Sequence, residues 1–140
     1  LVFRKLVNKN GDIIDKYLNM IQNDCNIKDE KIKPFVEDLN AHIEILNNFT
    51  LWIKEKIQNS KDDASAACND YLKALGFVSI AHAWLKVLEV SFKNYESNKA
   101  FYEDKIQTAK FYFKRVLPRM ENHFKTAATG SEYIMNFNFK

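Results

Sequence analysis

His42, His82 and His123, with Cys25 and Cys68, are the side chains of this chain best suited to hold a metal or move a proton. Their spacing argues against both tasks. A di-iron centre in a helical bundle takes a Glu-x-x-His pair from each of two helices, and no histidine here has Glu three residues before it. The zinc-binding His-Glu-x-x-His spacing is absent, and the two cysteines lack the second close pair that a zinc site needs. His82, between Ala81 and Ala83, reads as a core-edge histidine with one hydrogen-bond partner.

Nucleophilic and phosphate chemistry fare no better. Ser79 follows Gly76 without the Gly-x-Ser-x-Gly elbow. Three glycines cannot build a phosphate loop or a dinucleotide fingerprint. The adjacent carboxylates Asp62-Asp63 and Glu103-Asp104 sit where helices start, and capping accounts for them. Trp52 and Trp84 occur among apolar residues at helical spacing and read as core, as do the Phe101-Tyr102 and Phe111-Tyr112 pairs. Lys110, Lys114, Arg115 and Arg119 cluster, but Glu103, Asp104 and Glu121 flank them, and the net charge is only +3. That balance suits a solvated helix face rather than a nucleic-acid stripe. No catalytic, cofactor-binding or metal-ligating residue is assigned.

The elements that carry these residues are predicted to be helices. Gly11, Pro34, Gly76, Pro118 and Gly130 are the only glycines and prolines in 140 residues, which leaves little room for hairpins. A first helix is predicted from Asp12, its N-cap, to Asp24, with Ile13, Ile14, Tyr17, Leu18 and Ile21 on one side. A second starts at Lys33-Pro34, where the missing proline N–H has no partner to lose, and ends near Asn59. Its stripe is Val36, Leu39, Ile43, Leu46, Ile53 and Ile57, widened by Phe49 and Trp52. Ser60-Lys61-Asp62-Asp63 reads as a break and a Ser-x-x-Asp cap for a third helix, Asp63 to Asn94.

That third helix is apolar nearly all round between Ala74 and Val90, as a central helix should be. Gly76 inside it implies close approach of another backbone or a ring such as Trp52 or Phe113, because a helical glycine costs about 1 kcal/mol relative to alanine. Ser97 or Asn98 caps a fourth helix whose apolar series is Tyr102, Ile106, Ala109, Phe113, Val116, Met120, Phe124 and Ala127. Pro118 lies inside the series and predicts a kink, and Gly130 a stop. The expectation is an all-α fold: an up-down four-helix bundle over 11–130, with an irregular N-terminal lead-in (1–10) and a C-terminal tail (131–140). A content of 46% hydrophobic residues is enough for one such core. The longest uncharged run, Ala74–Leu85, has 12 residues, which predicts no membrane span. Two unpaired cysteines suggest reduced thiols and a cytoplasmic setting.

One spaced set remains: Asp70-Tyr71-Leu72, Gly76, Trp84, Phe101-Tyr102, Lys105, Ala109, Phe111-Tyr112 and Leu117-Pro118, with Ala128, Gly130 and Met135 after it. Its order and spacing resemble the extra C-terminal helical domain of a subgroup of the acyl-CoA dehydrogenases. Arg4-Lys5-Leu6 resembles the connector from the dehydrogenase body, although Phe3 stands where that pattern has Gly. The resemblance implies a parent flavoprotein that oxidises an acyl-CoA thioester between its α and β carbons. A carboxylate base and FAD would belong to upstream domains, with no FAD on this segment. Partners implied are those upstream domains, a second subunit in a homo-oligomer, and acyl-CoA through the parent; nucleic acid and membrane are not. The other reading is a free-standing helical interaction module without enzyme activity.

Overall fold

The computed structural model describes Val2, Leu6 and residues 13–136. The connector 1–10, Gly11 and the Asp12 cap therefore lie, Val2 and Leu6 apart, outside the described residues. What is described is all helical, with five helices of eight residues or more: α1 (Ile13–Asp24), α2 (Lys33–Asn59), α3 (Lys61–Lys93), α4 (Lys99–Phe111) and α5 (Met120–Ala127). A four-residue α6 (Glu132–Met135) follows. There are five rather than four long helices because Pro118 divides the last one.

The helix ends follow local chemistry. Pro34 occupies the first turn of α2, as its fixed φ and missing donor favour. Asn98 caps α4, its side chain accepting from the Phe101 N–H at 3.3 Å. Ser60 stands at the N-cap of α3 but makes no side-chain cap bond, and the helix starts at Lys61, before the expected Asp63. The Ser60 N–H donates to the Lys56 carbonyl, and the Asp63 carboxylate takes Lys56 and Ser131 as partners.

At Pro118 the chain widens instead of simply bending. Tyr112–Val116 form a π turn in which the Leu117 N–H donates to the Tyr112 carbonyl, and Leu117–Arg119 tighten into a 3₁₀ turn. Proline offers no N–H to the Lys114 carbonyl and its ring crowds that oxygen, so an extra residue in the turn relieves both. Within the widened turn Leu117 is fully buried and Val116 only half-buried. The apolar phase then continues through Met120, Phe124 and Ala127.

α3 is the central element, packed against α2, α4 and α5. Its Ala64, Ala67, Tyr71, Ala74, Val78, Ala81, Leu85 and Leu88 face inward, opposite Leu39, Ile43, Leu46, Phe49 and Ile53 of α2. Phe49 organises one end of the core. It stacks on Phe124 of α5 at 4.7 Å and meets Tyr71 of α3 edge-on at 5.2 Å. At the other end Phe35 meets Phe113 at 5.2 Å. Such pairs add about 0.5–1.5 kcal/mol to the burial of their area.

Two expectations about the core need correction. A Cβ built on Gly76 meets no atom of the other described residues within 4 Å, so neither Trp52, Phe113 nor the backbone of another described element packs closely there. The Phe-Tyr pairs are not core pairs either: Tyr112 is buried and Tyr102 half-buried, whereas Phe101 is 50% and Phe111 59% exposed. Adjacent helical residues point about 100° apart, so one pair cannot send both rings inward. α3 is also long and apolar enough to cross a membrane by length and composition, with a mean hydropathy of 1.3 over 18 residues, only 28% of which is buried. The 12-residue run concealed this because the longer window absorbs up to two charges.

Candidate functional site

The residues with chemistry to offer are consumed in ties between helices. His82 Nε2 donates to Asp24 Oδ2 at 2.9 Å and Lys86 Nζ reaches the same oxygen at 3.3 Å, fastening the end of α1 to α3. The His82 bond, helped by Lys86, lowers the Asp24 pKa. His123 Nδ1 donates to Asp70 Oδ1 at 2.7 Å and joins α5 to α3. The Tyr71 hydroxyl lies 2.9 Å from Thr50 Oγ1 of α2, and burial pushes its pKa up to about 12. Tyr112 donates to the Phe77 carbonyl at 2.8 Å, again with its pKa raised to about 12 by burial. Tyr17 of α1 donates to Ser79 Oγ at 2.8 Å. His42 has one bond, Nδ1 donating to the Asp38 carbonyl at 2.7 Å, and its buried Nε2 has no partner.

Asp63, Glu103 and the two thiols are also accounted for. Asp63 Oδ1 accepts from the Ser131 N–H at 2.9 Å and the Ser131 hydroxyl at 2.8 Å, while Lys56 reaches Oδ2 at 3.1 Å. These donors, Ser131 first, hold the Asp63 carboxyl far below the usual carboxylate range. Gly130, at φ +79°, turns the chain so that Ser131 can reach Asp63. Glu103 accepts from Gln107 and Tyr95. Cys25 is buried and Cys68 half-buried, both unpaired, and burial raises the pKa of each thiol. Among the described residues no cluster of three His, Cys, Asp or Glu could hold a metal ion. Lys114 of the basic cluster pairs with Asp38 at 2.7 Å, while Lys110, Arg115 and Arg119 face solvent.

What the fold leaves free is a face rather than a reactive group. Leu72, Gly76, Ile80, Ala83, Val87 and Val90 recur along α3 at steps of three and four. They fall within about 80° of helix circumference at 100° per residue. Leu72, Ile80 and Val90 are 45%, 50% and 54% exposed, where solvent-facing helical positions normally carry charge. α1 flanks one side of this stripe through Ser79, His82 and Lys86. The α4 side is marked by the Tyr112–Phe77 bond and by a cavity of about 400 Å³ lined by Trp84, Val87, Val90, Phe101 and Tyr102 among others. Lys105 Nζ covers the Phe101 ring at 5.2 Å on its rim. Helix α3 is thus the floor of a shallow apolar trough with α1 and α4 as walls.

Ala109 and Leu117 of the spaced set are core and Pro118 breaks the helix, while most of the other members divide between these two tasks. Asp70, Tyr71 and Tyr112 make the ties; Leu72, Gly76, Trp84, Phe101 and Tyr102 belong to the trough. Sequence reasoning missed Asp24, Thr50 and Ser131 as partners, since each lies far along the chain from the group it satisfies. It also missed the uncharged stripe, whose spacing was visible but was absorbed into the reading of α3 as buried on every side.

The sequence profile of the acetyl-CoA dehydrogenase C-terminal-like family matches residues 17–138. No curated protein matches the chain.

Proposed function

This chain belongs to the acetyl-CoA dehydrogenase C-terminal-like family, and on that premise we propose that it is a non-catalytic domain of an FAD-dependent acyl-CoA dehydrogenase. Its parent would oxidise an acyl-CoA thioester between the α and β carbons, in the cytoplasm and as a homo-oligomer. The domain supports packing or subunit assembly, as an up-down bundle in which α4 and α5 serve as one broken fourth helix. The observation that carries this reading is the division of labour on the page: polar groups tie the bundle together, and an apolar face is left over.

The two apolar cavities do not fit FAD. The walls around Trp84, Val87 and Phe101, and those of a second cavity of about 220 Å³ at Ile14, Tyr71 and Leu75, are apolar. A flavin and its pyrophosphate need backbone amides or helix N-termini aimed at them. On the family reading, hydride chemistry would reside in the upstream domains.

Purification of the full-length polypeptide tests the reading. A yellow protein with a flavin spectrum, which reduces an artificial electron acceptor only when acyl-CoA is added, is expected. A colourless, inactive full-length protein, or a coding sequence that starts just before Leu1, would point to the free-standing interaction module.

A further inference from the structure

Among the described residues the trough on α3 has no cover that would explain it: Leu72, Ile80 and Val90 stay about half exposed. Over roughly 27 Å of helix, at 1.5 Å per residue, it presents Leu72, Gly76, Ile80, Ala83, Val87 and Val90 without a charge. Gly76 sharpens the point: it carries a helical penalty of about 1 kcal/mol, and among the other described residues, its own helix turn apart, nothing comes within 4 Å of a Cβ built there. A partner backbone or side chain seated from outside gives that glycine a use. Charged groups stand at the edges, Lys86 with Asp24 and Glu89 on one side and Lys105 on the other. An apolar centre with a polar rim is the anatomy of a protein interface, and its elongated shape between two helical walls suits a helix.

The chain itself indicates the direction from which the occupant comes. Val2 and Leu6 are buried, and they line a cavity with Ile13, Ile14, Tyr71, Leu72 and Leu75. Val2 and Leu6, on the N-terminal side of the domain, thus lie against the Leu72 end of the same stripe. Whatever precedes them is held beside the trough at high effective concentration.

We propose that this trough is the seat of the dehydrogenase body that precedes the domain on the same polypeptide, which lays an apolar helix along α3 between α1 and α4 and closes over Gly76. The inference rests on the reading of the chain as an accessory domain of such an enzyme.

Thiol labelling in the full-length protein tests it. With Cys68 replaced by Ser, Ile80→Cys reports the trough and Leu51→Cys, at an α2 position that is 65% exposed, reports open surface. Both positions are exposed in the domain, so neither change burdens its folding. Maleimide should modify Ile80→Cys at least about 10-fold more slowly than Leu51→Cys, equally at nanomolar and micromolar protein. Adding Gly76→Leu, whose Cβ meets no atom of the other described residues within 4 Å and whose longer side chain crowds the occupant, should bring the two rates together. Equal rates without Gly76→Leu overturn the proposal. Protection that vanishes on dilution overturns it in favour of a second copy, and protection that appears only with anionic phospholipid vesicles does so in favour of a membrane. The flavin spectrum of the same samples separates the two levels: a yellow, active enzyme with rapid labelling refutes the trough alone, whereas a colourless protein refutes the accessory-domain reading.

Discussion

Replacing Thr50 by Val should cost more stability than removing the hydroxyl it serves. Thr50 and Tyr71 are each 2% exposed. The Thr50 hydroxyl donates to the Leu46 carbonyl at 2.7 Å, which leaves its oxygen to accept the Tyr71 O–H at 2.9 Å. Thr50→Val keeps the shape and strands the Tyr71 hydroxyl in a site too dry to ionise it easily. An unsatisfied buried polar group costs about 1–3 kcal/mol, or roughly 3–10 °C in Tm for a domain of this size. Tyr71→Phe removes that hydroxyl while Thr50 keeps its bond to Leu46 and Phe49 keeps an aromatic neighbour at 5.2 Å, so its cost should be about 0.5–1.5 kcal/mol. The double variant should then be more stable than the two single losses added together, by about 1 kcal/mol or more. Urea unfolding followed by fluorescence and circular dichroism measures all four corners of this cycle, with unchanged m values as the check on two-state behaviour. Additive losses, or a Thr50→Val variant within about 0.5 kcal/mol of the parent, would refute the assignment of this pair as a coupled buried bond.

Three further outcomes are expected. Asp63 has a folded pKa far below its unfolded value of about 3.9, so its contribution is complete above about pH 4 and is lost as the pH falls towards the folded value. Thermal melts from pH 6 to pH 2.5 should show Asp63→Asn with a shallower acid limb than the parent chain, and parallel limbs would discount the Ser131 clasp. Gly76→Ala should hold or raise the Tm of the chain, by up to about 1 kcal/mol of stability, because the new methyl meets none of the other described residues; a clear drop in Tm would mean that space is occupied within the domain. His42→Leu should change stability by less than about 1 kcal/mol, because it removes a buried acceptor with no donor. A loss of several kcal/mol in urea titration would reveal a partner for Nε2.

Periodicity, capping residues and the two prolines were enough to place every long helix within a few residues, because helix formation is decided by neighbours three and four positions away. They also located the break at Pro118, since a missing N–H is a local fact. Whether Gly76 touches something, which ring of a Phe-Tyr pair turns inward, and which face of α3 stays bare are questions about other helices. Their answers depend on crossing geometry that no local pattern records. The same holds for Asp63, whose adjacency to Asp62 suggested a cap, whereas a serine 68 positions later claims its carboxylate. The sequence by itself determined an all-helical chain, the absence of a legible reaction motif, and the family to which it belongs. Only the tertiary structure decided that the polar residues are ties and that an apolar trough is left open. Burial is a property of what surrounds a residue in space, not of the residue or its order in the chain.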